Sequence, residues 1–161
     1  MARKNKGSRA PDDEVEFELT LETTPDLIKN HYSSFVKIRG QTPAIWEHGT
    51  IYIGHGVTPR TDRFKLVRAG HQRNLDAVRQ ALGVENIPEG EWLVAFKEEF
   101  PQYDGFGYIG IADPSWLSEY NDECFPNLSK HPTFGWELAF SLADEEFDTD
   151  WRWLVKSSVE I

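Results

Sequence analysis

The sequence predicts an α+β fold in a single domain, a mixed or mainly antiparallel sheet of about five to seven strands carrying two or three helices. Three observations lead there. Apolar and polar residues alternate in several short stretches, as in half-buried strands, and one segment instead repeats its apolar residues at helical spacing. The aromatics, 13% of 161 residues, run from Phe17 to Trp153, so one core draws on the whole chain.

Taken in order, Val15, Phe17, Leu19 and Leu21 alternate with Glu16, Glu18, Thr20 and Glu22, which predicts a strand with one face in the core. Thr24-Pro25-Asp26 reads as an N-cap, a first-turn proline and a dipole-matching acid, opening a short helix toward Tyr32. Phe35 to Ile38 suits a second strand and Ile45 to Ile53 a third, ended by Gly54-His55-Gly56. Leu75, Val78 and Leu82 fall at helical spacing with Gly83 as a stop, predicting a helix from Gln72 to Leu82.

Trp92 to Phe96 and Phe106 to Ile111 read as two strands joined through the turn-rich Pro101 to Gly105. Asp113-Pro114 repeats the cap-then-proline signal and predicts a helical turn that sets Trp116, Leu117 and Tyr120 against the sheet. Pro132, Phe134, Trp136, Leu138 and Phe140 make one face of a strand, and Trp151, Trp153 and Val155 one face of another. The acidic stretch Asp144 to Asp150 separates these two, predicting a terminal hairpin.

Charge is divided along the sequence. Glu85 to Asp150 holds sixteen acids against Lys97 and Lys130, a net of 2 − 16 = −14, whereas Ile28 to Arg79 holds nine bases against three acids, 9 − 3 = +6. A folded dipole of this kind steers a basic partner onto one surface and leaves the other to an anion. The net charge of −10 opposes generic coating of nucleic acid or of an anionic membrane. Residues 1–12 are expected to be a flexible basic tail, with residues 13–161 forming the domain. No apolar stretch follows the basic opening, so it does not read as a secretory signal, and no segment has the apolar length of a membrane helix. Cys124 is the only cysteine, which excludes an internal disulfide and a cysteine zinc cluster and fits a cytoplasmic setting.

Two His-x-Thr triplets are the catalytic candidates. His48-Gly49-Thr50 lies in the predicted strand Ile45 to Ile53, where residues two apart share a face, so imidazole and hydroxyl can converge on one ligand. His131-Pro132-Thr133 offers the same pair at the start of a later predicted strand. This arrangement resembles the two-histidine (2H) phosphoesterase superfamily. The resemblance implies a phosphodiesterase acting on a cyclic or oligomeric nucleotide or an RNA end. His48 and His131 would then be acid and base, with Thr50 and Thr133 holding the phosphate. Gly49 and Pro132 stand where the family carries an apolar residue, as does Lys130 before the second histidine.

Other residues suggest binding. Trp46 and Tyr52 share the His48 face and can stack on a base, and Arg60 and Arg63 follow the Gly54 to Pro59 loop as phosphate-contacting candidates. Asp144, Glu145, Glu146, Asp148 and Asp150 suit an exposed acidic loop facing a basic surface. His48 and His55, seven apart in one strand, point to opposite faces, so no metal site is expected, and no cofactor motif occurs. The reading that gathers most of these features is an acidic soluble interaction module that binds a basic protein surface, as an inhibitor or immunity-type protein does. The 2H-type phosphodiesterase with a small nucleotide ligand is the alternative.

Overall fold

The computed structural model describes residues 13–21, 36–38, 59–100, 108–118, 122–131 and 135–157. They form an open mixed sheet with two α-helices, the α+β arrangement expected. The strands are β1 (Phe17–Leu21), β2 (Val36–Ile38), β3 (Arg60–Val67), β4 (Tyr108–Gly110), β5 (Trp116–Ser118), β6 (Glu123–His131), β7 (Gly135–Leu142) and β8 (Trp151–Lys156). Helix α1 spans Leu75–Leu82 and α2 spans Trp92–Glu99, with a 3-10 turn at Val84–Asn86 between them.

The neighbours run β1, β3, β8, β4, β6, β5, β2, with β7 on β6. Because β7 pairs with β6 from Cys124 to His131, β4 and β5 must share the other side of β6, end to end. Pro126 lies opposite the break between them. Gly110 pairs with Asn127 and Trp116 with Cys124, and the Pro126 carbonyl accepts from Ile111 N at 3.3 Å on that same side. A residue's N–H and C=O point the same way in an antiparallel strand, so the amide that proline lacks falls where no neighbour needs it.

Alternation assigns the two faces. Leu19, Leu21, Phe64, Leu66, Ile109 and Leu154 bury against α2, whose Trp92 to Phe96 are all buried. On the opposite face Trp151, Trp153, Val155, Phe125 and Phe147 pack with Leu75 and Val78 of α1. Asn74 caps α1 by accepting from Ala77 N at 2.8 Å, and Gly83, at φ 91°, ends it by donating its amide to Arg79 O at 2.9 Å. Between the helices the buried Asp113 carboxylate accepts from Gly90 N and Trp116 Nε1, each at 2.8 Å, and from Ser115 N at 3.0 Å.

Several expectations change. Trp92 to Phe96 is helix, not strand: burial on every side removes the alternation that would tell the two apart, and Lys97-Glu98-Glu99 prolongs the run with good helix formers. Asp113-Pro114 opens a turn followed directly by strand β5, so Trp116 and Leu117 lie within the sheet. Strand β6 was not foreseen, and His131 ends it instead of starting the next strand. Nor do β7 and β8 form a terminal hairpin. β8 inserts between β3 and β4, antiparallel to the first and parallel to the second, and its consecutive buried Trp153, Leu154 and Val155 suit a strand covered on both faces. The tail 1–12, the helix expected after Thr24 and the strand expected at Ile45 to Ile53 lie outside the described residues.

Candidate functional site

Folding brings the basic stretch against acids from elsewhere in the chain. The antiparallel register of β1 on β3 sets Glu18 opposite Arg63, and Arg63 pairs with Glu16 at 3.1 Å and Glu18 at 3.9 Å. Lys65 meets Glu14 at 3.5 Å, and Asp13 takes Arg68 at 2.8 Å and Arg152 at 3.0 Å. Arg60 is held twice. Its Nη2 is 2.9 Å from Glu89 Oε1 and its guanidinium carbon 5.3 Å from the Trp92 ring centre, while Trp92 Nε1 donates to the same Glu89 oxygen at 3.2 Å. The hydrogen bond from Ser157 Oγ is the main cause that holds the Glu16 carboxyl below the ordinary value of 4.5; desolvation opposes it, and the charge of and hydrogen bond from Arg63 add to the lowering.

The acids of 144–150 are disposed differently. Asp144, Glu145, Glu146, Asp148 and Asp150 are all exposed, and among the described residues none of them makes an ion pair. Their backbone is nevertheless anchored. Phe147, in the middle, is buried edge-on against Phe125, Trp151 and Trp153 at 5.4, 5.0 and 5.4 Å, and exchanges amide hydrogen bonds with Gln72 at 2.9 and 2.8 Å. Arg68 Nη1 donates to Thr149 O at 2.6 Å, and Asp148 Oδ1 accepts from Asp150 N at 2.9 Å. Alternating burial thus pushes one phenyl ring inward and the flanking carboxylates into solvent.

Beside this loop a cleft of about 350 Å³ opens between the first turns of α1, the start of β6 and the end of β7. Asp76, Asp122, Glu123 and Asp144 line it, with Arg79 paired to Asp76 at 3.6 Å and to Glu123 at 3.1 Å. The acidic surface therefore extends across the α1 side of the sheet. Cys124, buried behind Glu123, is inert by environment: burial, then the charges of Glu123 and Asp122, push its thiol up to about 12.

Of the sequence-derived candidates, Arg60 and Arg63 are engaged within the molecule, and the five acids of 144–150 face solvent. His48, Thr50, Thr133, Trp46 and Tyr52 lie outside the described residues, and of the His131 triplet only the backbone position of His131, at the end of β6, is described. Asp122 and Glu123 were not singled out in the sequence, where the acidic balance of residues 85–150 was the available signal, and Asp76, inside the basic stretch 28–79, carried none. No family model, curated protein or solved structure matches the chain. Among the described residues, no three His, Cys, Asp or Glu side chains group to hold a metal ion, and no helix is long and apolar enough to cross a membrane.

Proposed function

We propose that this chain is an acidic interaction module that binds and occludes a basic protein surface, in the manner of an inhibitor or immunity-type protein. One contrast carries the reading: Arg60, Arg63, Lys65 and Arg68 are each paired with an acid of the same chain, whereas the five acids of 144–150 are exposed and make no ion pair among the described residues. The charge division of the sequence becomes, on folding, a largely compensated basic strand and an exposed acidic loop whose carboxylates make no ion pair among the described residues. Long-range attraction toward a cationic surface follows, and it acts chiefly on the rate of association.

Supporting this, the loop is anchored by Phe147 and Gln72, so its carboxylates are held in place before any partner arrives. The test is the variant in which Asp144, Glu145, Glu146, Asp148 and Asp150 are all replaced by lysine. Its thermal melt should stay near that of the parent, while its association with a basic protein captured by the parent slows and loses its dependence on ionic strength. An unchanged association rate across ionic strength overturns the proposal. So does hydrolysis of a cyclic nucleotide by the parent protein that His48→Ala or His131→Ala abolishes, which would install the phosphodiesterase reading instead.

A further inference from the structure

Ahead of β1 the chain lies against β3 and β8 as a short strap, residues 13–16. Apolar anchoring begins at Phe17, whose ring meets Phe96 and Phe100 at 5.9 and 5.5 Å. Val15 keeps 49% of its surface exposed, and charge and hydrogen bonds hold the strap instead. Glu16 accepts from Ser157 Oγ and pairs with Arg63 at 3.1 Å, while Glu14 pairs with Lys65 at 3.5 Å and donates its amide to Leu66 O at 2.8 Å. Glu14 sits at φ 68°, a left-handed conformation that a residue with a Cβ adopts at a cost. A strap built this way opens well before the domain does, and salt loosens it, because exposed ion pairs contribute little each and are screened.

The strap reaches the acidic loop through one arginine. Just past the Val67–Trp153 pair of β3 and β8, Arg68 and Arg152 share the Asp13 carboxylate, with Arg68 Nε 2.8 Å from Oδ2 and Arg152 Nε 3.0 Å from Oδ1. From Nη1 the same Arg68 donates to Thr149 O at 2.6 Å. Its guanidinium is therefore a tie, with one N–H on the strap and another on the loop. Removing Asp13 leaves two like charges side by side without the carboxylate they share. Arg68 has 45% of its side chain exposed against 18% for Arg152, so Arg68 is the one with room to swing into water, and its bond to Thr149 goes with it. The loop's other anchor, the exchanged amide bonds of Gln72 and Phe147, is made without Arg68.

We infer that residues 13–16 are a releasable strap that controls the C-terminal half of the acidic loop through Arg68. Docked, the strap fixes Thr149 and its neighbours; released, it lets them move while Phe147 stays in place. The inference goes beyond the proposed binding role, because the coupling lies within the chain and needs no partner.

Hydrogen exchange of the full chain, resolved by residue with NMR, tests the tie. The reporters are the amides of Asp150 and Trp151, which donate to Asp148 Oδ1 at 2.9 Å and to Asp148 O at 3.4 Å. In Asp13→Ala they should exchange about two- to fivefold faster, with Gln72 and Phe147 as in the parent. In an Arg68→Gln background, where both reporters are already faster, Asp13→Ala should add nothing further. Raising sodium chloride on the unsubstituted protein should speed Glu14, Asp150 and Trp151 together, a measurement that stands even if a variant fails to fold. Unchanged exchange at Asp150 and Trp151 in Asp13→Ala overturns the inference, as does an equal Asp13→Ala effect with Arg68 replaced, or salt that fails to move the three amides together. A rise at Gln72 and Phe147 as large as at Asp150 and Trp151 is general destabilisation and overturns it too.

Discussion

Replacing Phe147 by alanine separates the acidic loop's charge from its placement. The ring is buried to 1% exposure and meets Phe125, Trp151 and Trp153, three aromatic neighbours that are themselves fixed by the sheet and cannot collapse into the space. Deleting a buried phenyl ring in such surroundings costs about 3–5 kcal/mol, the loss of transfer energy being joined by that of an unfilled cavity. At about 2–4 °C per kcal/mol for a chain of this length, the melting temperature should fall by roughly 6–20 °C. Hydrogen exchange should show a second effect, early loss of protection at the amides of Gln72 and Phe147, which donate to each other's carbonyls. All five carboxylates remain, so association with a basic partner should stay close to the parental rate while the complex dissociates faster. A melting temperature within a degree or so of the parent, with both amides still protected, would refute the idea that Phe147 anchors the loop.

Gly90→Ala places a Cβ at 2.6 Å from Trp116 Nε1 and 2.7 Å from Pro126 Cγ, so the indole must leave Asp113. Overpacking of about 1–3 kcal/mol and the lost bond to a buried carboxylate should lower the urea midpoint clearly, and an unchanged midpoint argues against the Asp113 hub. Cys124 should resist thiol reagents until the protein unfolds. Its folded thiol is pushed up to about 12 from 9.0, so above 9.0 the unfolded chain loses a proton that the folded chain keeps, and stability should decline as pH rises toward 12. Urea titrations across that range should show a shallower decline for Cys124→Ala, and parallel curves would count against the shift.

The parts of the fold that the sequence disclosed are those where one side of an element meets water. In β1 the alternation of Glu18 and Thr20 with Leu19 and Leu21 is the alternation of exposed and buried positions, and α1 shows its boundary through Gly83 and its face through Leu75 and Val78. Where both sides are covered the pattern falls silent. Trp92 to Phe96 looks strand-like because no polar residue marks a period, and β6 hides behind Pro126, which usually argues against a central strand. The Pro126 position makes sense only once the gap between β4 and β5 is placed opposite it, and that is a tertiary fact. For the candidate site, the acids of 144–150 were legible from composition, since a run so charged has to face solvent. Pairing of the basic residues was not, because it depends on the β1–β3 register and on α2 carrying Trp92 to Arg60, contacts between segments up to 55 residues apart.

The insertion of β8 between β3 and β4 bears on how the chain assembles as it is synthesised. Residues 17–67 can pair β1 with β3 and supply β2 to the edge at β5, and residues 108–142 can build the block of β4, β5, β6 and β7, but among the described strands only β8 fills the place between β3 and β4. Until residues 151–156 leave the ribosome, β3 and β4 each expose an unpaired edge, and Phe125 lacks the tryptophans that cover it. A nascent chain halted before Trp151 therefore presents two facing strand edges with no strand between them, and that stage, not the finished protein, is where a chaperone would find most to hold.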